Sequence, residues 1–201
     1  MNHSNFIRLS GWLMILGAVV FYSFWLLYYL NDNGYIVDSV MPDWGIAYDL
    51  STYGSPILLA VGVLGLRARY GESVGNLGKT ILLISPLGIL ISYYGLTQAS
   101  IYDQAPLVLG AGHLVLHICL TLFGVMALIK KPLPRWNALP LVAGIWVPAF
   151  VLFVVVSGLP IEQIWAKVIP WFVLTVTIQS AAFLVLGYIL QADAPQEMAP
   201  V

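Results

Sequence analysis

Six stretches of this chain carry no Asp, Glu, Lys or Arg: Leu9 to Leu30, Leu50 to Leu66, Thr80 to Tyr102, Gln104 to Ile129, Trp136 to Ile161, and Val168 to Ala192. A hydrocarbon core of ~30 Å needs about 20 apolar residues per helical crossing. The runs therefore predict six transmembrane helices, placed at about 9–30, 45–69, 80–101, 105–129, 138–159 and 168–190. The second run is short, and its helix is expected to be lengthened by a start at Pro42-Asp43 and by snorkelling of Arg67 and Arg69. Leu, Ile and Val occur without strict alternation, which favours helices over a barrel whose strands are polar at every second position.

Only 8% of the 201 residues are charged, against roughly 25% in a soluble globular domain. The expectation is one all-α integral membrane domain over residues 1–192 and a flexible tail over 193–201. The first run is longer than the apolar core of a cleavable signal and is followed by no small-x-small site, so it reads as a retained helix. The net charge of −1 and the scattered cations give no basic tract for nucleic acid, which is excluded as a partner. The single cysteine, Cys119, leaves no intrachain disulfide and no cysteine-based metal motif.

Arg8, Arg67, Arg69, Lys79, Lys130, Lys131 and Arg135 fall on one predicted side and Lys167 alone on the other. This bias predicts that both termini are cytoplasmic. The opposite loops carry Asp32, Asp38, Asp43, Asp49, Asp103 and Glu162. Asp32-Asn33-Gly34 lacks the closing Glu of a calcium loop, so this acidity reads as a solvated face. Trp25, Tyr28, Tyr29, Trp44, Tyr48, Tyr102, Trp165 and Trp171 gather near the outer ends, as an interfacial belt does. Pro56, Pro86 and Pro148 lie inside runs and predict kinks in helices 2, 3 and 5. The short loops and the turn Gly65-Leu66-Arg67-Ala68-Arg69 resemble those of many small bacterial multi-pass proteins, which implies a bacterial cytoplasmic membrane.

Two motif matches fail on context. Gly71-Glu72-Ser73-Val74-Gly75 fits the G-x-S-x-G nucleophile elbow, but that elbow joins a strand to a helix in an α/β sheet. Asn2-His3-Ser4 fits a glycosylation sequon but sits on the predicted cytoplasmic side. No catalytic residue and no metal site are predicted, and enzymatic activity is not favoured.

The informative polar residues are His113 and His117, four apart and hence on one helical face. Buried in a membrane without a carboxylate nearby, both are expected to be neutral and to face the bundle interior. A neutral imidazole has one donor and one acceptor to satisfy, and Gln179 is the expected partner of His117. Counting 1.5 Å per residue places Tyr53, Tyr94, His113 and Thr175 about 10 Å below the outer boundary. His117 and Gln179 come near the midplane, and Asp49 lies one turn above Tyr53. These residues read either as the lining of an outward-facing cavity for a small apolar or amphipathic ligand, bound or transported, or as interhelical glue.

Two other functions stay open at this point. One is a non-catalytic subunit packed against membrane partners in a homo- or hetero-oligomer. The other is a redox protein with haem, chlorin or metal on a histidine, although no cofactor is predicted and no facing second histidine is available. The pairs Gly62 and Gly65, Gly88 and Ser92, and Gly110 and Gly112 predict close helix approach.

Overall fold

A computed structural model of the chain describes residues 2–35, 44–98, 105–133, 135–158 and 161–192. The side chains of 91–92, 94–98, 105–110 and 161–172, and those of Trp44 and Tyr48, fall outside the description. The expectations for the Pro42-Asp43 helix start, the loop aspartates 38, 43 and 103, Tyr102 and the tail 193–201 lie outside the described residues. The same holds for the side chains of Glu162, Trp165, Lys167 and Trp171.

The described residues are helical, with no strand among them. They form α1 (His3–Asp32), α2 (Trp44–Asp49), a π-helical turn (Leu50–Gly54), α3 (Ser55–Gln98), α4 (Ala105–Lys130), α5 (Leu139–Gly144), α6 (Trp146–Ser157) and α7 (Ile161–Ala192). Four continuous helical stretches, His3–Asp32, Gly45–Leu90, Ala111–Lys130 and Val173–Ala192, are long and apolar enough to cross a membrane. The chain is thus an all-α membrane protein.

α3 is not a straight rod. Gly75 has φ 77° and ψ −178°, a region essentially reserved for glycine, and there the chain turns back on itself. The Tyr93 hydroxyl donates to the Tyr53 carbonyl, and the two rings lie 6.1 Å apart. Forty residues of unbroken helix would hold these groups about 60 Å apart. The arms 55–74 and 76–98 therefore run antiparallel. The Lys130 ammonium donates to the Val74 carbonyl at 2.8 Å, filling an acceptor that the turn leaves without a helical partner and placing a cation at the carbonyl end of the first arm.

The prolines act locally. Pro56 follows the π turn, where the Ser55 N–H reaches back to the Leu50 carbonyl. Having no N–H, Pro56 leaves the Thr52 carbonyl without its i+4 donor. Tyr93 supplies a hydroxyl to this turn, 3.4 Å from Thr52 O as well as bonding Tyr53 O. Pro148 likewise gives no donor to the Gly144 carbonyl, and the helix is interrupted there between α5 and α6. Pro86 sits inside the return arm of α3, a helix whose one interior non-helical residue is Gly75.

α1 packs on α3 and α7, α3 on α4, α4 on α5, and α5 on α7, which closes the bundle into a ring. Small residues set these approaches. Gly11 meets the Gly187 carbonyl, Gly62 meets Met14, Gly65 meets Ser10, Gly88 meets Val115, and Gly124 and Gly144 touch the backbones of α5 and α4 respectively. The contacts Gly11–Gly187, Ser10–Gly65 and Lys130–Val74 bring the start of α1, the hairpin of α3, the end of α4 and the end of α7 to one end of the bundle. The core holds Ile7, Met14, Val63, Leu66, Leu82, Leu120, Phe123, Phe183 and Leu186.

The fifth expected segment, 138–159, divides in two. Pro140, Ala143 and Gly144 of α5 are buried, whereas α6 has no buried residue and Val155 and Val156 are 72% and 77% exposed.

Candidate functional site

His117 is buried on α4. Its Nδ1 lies 2.7 Å from the His113 carbonyl, and its Nε2 pairs with the side-chain amide nitrogen of Gln179 on α7. A carbonyl only accepts, so Nδ1 carries the proton, Nε2 presents its lone pair, and the Gln179 NH2 donates to it. Both ring nitrogens of His117 are satisfied by a neutral ring. Phe183 meets this ring edge-on at 6.4 Å, and Gly144 lets α5 lie directly over the His117 carbonyl. Because α5 sits between α4 and α7, the His117–Gln179 bond ties the two helices that flank it.

His113 differs. Its ring is half-buried, lies nearly parallel to that of His117 at 6.4 Å between centroids, and makes no side-chain hydrogen bond among the described residues. It is the one imidazole on α4 with nitrogens to offer. His3 is exposed at the start of α1.

Two buried hydroxyls share the depth of His117. Gly88 packs on Val115 and near the Gly112 carbonyl, and Gly78 reaches Met126; this antiparallel register sets Ser85 level with His117. Ser180 directly follows Gln179. Ser85 is 0% and Ser180 3% exposed, and neither Oγ has a hydrogen-bond partner among the described residues. An unmet buried hydroxyl costs about 1–3 kcal/mol. Ser85, His117, Gln179 and Ser180 therefore form a polar layer across the bundle at one depth.

Of the residues singled out from the sequence, His113, His117 and Gln179 come together here. Thr175 lies half-buried on α7, one turn before Gln179. Tyr53 belongs to a different cluster, the π turn closed by Tyr93. The Tyr94 side chain lies outside the described residues, and it is its neighbour Tyr93 that contacts Tyr53. Asp49 is exposed at the end of α2. Ser85 and Ser180 were not anticipated; the adjacency of Ser85 to Pro86 and of Ser180 to Gln179 was the available signal. Among the described residues no three His, Cys, Asp or Glu side chains group as metal ligands.

The chain matches no protein-family profile, no curated protein and no solved structure.

Proposed function

We propose that this protein binds or transports a small apolar or amphipathic ligand within a six-crossing bundle, through a cavity open to the non-cytoplasmic side. The six crossings are α1, the two arms of α3, α4, α5 with α6, and α7. Both termini are cytoplasmic in this topology, in what we take to be a bacterial cytoplasmic membrane, and Pro56, Pro86 and Pro148 bend helices 2, 3 and 5. The ring of helices and the gathering of Arg8, Arg67, Arg69, Lys79, Lys130, Lys131 and Arg135 at one end support this arrangement.

The observation that carries the ligand reading is the pair of unpartnered, buried hydroxyls of Ser85 and Ser180 at the depth of His117. Polar groups that served only to hold helices together would be mutually paired, as His117 and Gln179 are. In this reading Ser85, Ser180 and the His113 ring bind ligand polar atoms, while His117 and Gln179 hold the layer in place. Tyr53, Tyr94, Thr175 and Asp49 line the approach.

The experiment is native mass spectrometry of the purified protein, together with its absorption spectrum. A retained small molecule is expected in the wild type, lost in His113→Ala and in Ser180→Ala but kept in a destabilised His117→Ala. Equal loss of the molecule from both histidine variants would refute the division of roles. A Soret-like band would replace this reading with a haem or chlorin protein ligated by His113.

A second reading, a non-catalytic subunit of a membrane complex, is favoured by α6. None of its residues is buried, and Leu152, Val155 and Val156 stand out at 64%, 72% and 77% exposure. Such a face suits either lipid or a partner helix. Cross-linking from Val155→Cys in native membranes tests it: a specific adduct supports a partner, and labelling by lipid-phase reagents alone refutes one.

A further inference from the structure

The hairpin end of α3 concentrates positive charge that the described residues do not neutralise. The Cβ direction of Gly71 meets Lys79 Cγ at 3.1 Å and Arg67 Cγ at 3.7 Å, so the stems of these two cations flank one glycine across the antiparallel arms. Lys79 pairs with Glu72, which is 87% exposed. Arg67 has no such partner: it forms no ion pair among the described residues, and its Nε is buried without a hydrogen-bond acceptor. Lys130 is committed to the Val74 carbonyl, and the Arg69 guanidinium lies 5.9 Å from the Tyr70 ring. Among the described residues Glu72 is thus one carboxylate against seven cations at this end, and the cation left unmatched beside Lys79 is the one whose planar fork suits a phosphate.

A second feature says what kind of phosphate. Lys79, Leu83, Leu87 and Leu90 follow one another at helical spacing, so they share a face of the return arm. The three leucines are 40%, 42% and 59% exposed. An anion site at the end of the bundle thereby runs without a break into an apolar strip that descends toward the bilayer centre. A free phosphate has no use for that strip; a molecule with an anionic head and an acyl tail matches both halves.

We propose that the α3 hairpin is a binding site for an anionic phospholipid, whose phosphate is held by Arg67 and Lys79 and whose acyl chain lies along Leu83, Leu87 and Leu90. Basic sites between transmembrane helices are a recurrent solution for headgroup binding. Glu72 competes with the phosphate for Lys79 and so tunes the site. The site is separate from the buried polar layer and stands whether or not that layer binds a ligand.

The test uses the full chain in nanodiscs of phosphatidylcholine with a graded fraction of phosphatidylglycerol, followed by native mass spectrometry to count retained lipid of each type. Phosphatidylglycerol should be retained preferentially. Arg67→Gln should weaken its retention about fivefold, the effect of removing about 1 kcal/mol per headgroup cation. Glu72→Gln should strengthen it. Arg135→Gln, an exposed cation of the α4–α5 loop, should change it little. A parallel melting curve excludes unfolding as the source of any loss, and the gain expected for Glu72→Gln cannot arise from misfolding. Equal losses in Arg67→Gln and Arg135→Gln would show diffuse attraction instead of a site and overturn the proposal. Displacement of the retained lipid by inorganic phosphate at low millimolar concentration would overturn the lipid assignment, as would equal retention of phosphatidylcholine.

Discussion

Replacing Gln179 by Leu keeps the volume of the side chain near that of the amide and removes the donor to His117 Nε2. The consequence follows from burial: His117 and Gln179 are 4% and 5% exposed, so neither finds water when the other is removed. An unmet imidazole acceptor costs about 1–3 kcal/mol. Side-chain hydrogen bonds inside membrane bundles, however, average about 0.6 kcal/mol in double-mutant cycles and reach about 1.7. The His117–Gln179 bond belongs near the upper end of that range, because the Nδ1–His113 bond and the Phe183 edge hold the ring in one orientation.

Gln179→Leu is therefore expected to destabilise the bundle by about 1.5 kcal/mol and His117→Leu by somewhat more. The double variant should be about 1 kcal/mol better than the sum, since replacing both partners leaves no orphan. Reversible unfolding of the four proteins in mixed micelles, followed by far-ultraviolet circular dichroism, supplies the cycle. Additivity to within about 0.3 kcal/mol would mean that the two side chains do not interact, and would refute both the tautomer assigned to His117 and the polar layer built on it.

Three other perturbations probe the framework. Gly75→Ala forces a Cβ into a backbone conformation that L-residues avoid, beside the Lys130 ammonium; a loss of about 1–3 kcal/mol is expected in the same unfolding assay, and an unchanged stability would mean that the turn is not as described. Tyr93→Phe should cost about 1 kcal/mol and speed amide exchange around the π turn, whereas unaltered exchange there would remove Tyr93 as its closing group. Reporter fusions after Lys131 should report cytoplasm and those after Asp103 the opposite side, and two adjacent loops reporting the same side would end the six-crossing topology.

The class of fold was legible before any coordinates, because hydrocarbon admits only backbones that satisfy their own hydrogen bonds. Charge-free runs of the right length then leave little choice but helices. The pairing of His117 with Gln179 was legible for a related reason: two strongly polar side chains at one depth in an apolar sequence have few partners other than each other. The reversal between Arg69 and Lys79 was legible from the two apolar runs and the shared side of their cations, but its seat at Gly75 was not, since Gly71, Gly75 and Gly78 are equivalent candidates until the backbone is seen. Tyr93 and Tyr94 are likewise equivalent in composition, and only the rotation of the return arm about its axis decides which one reaches the carbonyls freed ahead of Pro56. Ser85 and Ser180 looked innocuous because a serine in a membrane helix ordinarily bonds its own preceding turn; burial without such a bond is a property of neighbouring helices. The sequence alone determined that this chain is a helical membrane protein and where its polar side chains stand along each helix. Which of those side chains meet, and which are left unmet, was decided by tertiary packing, because it depends on how each helix is rotated against its neighbours, and that rotation is set by the summed fit of many apolar and small residues.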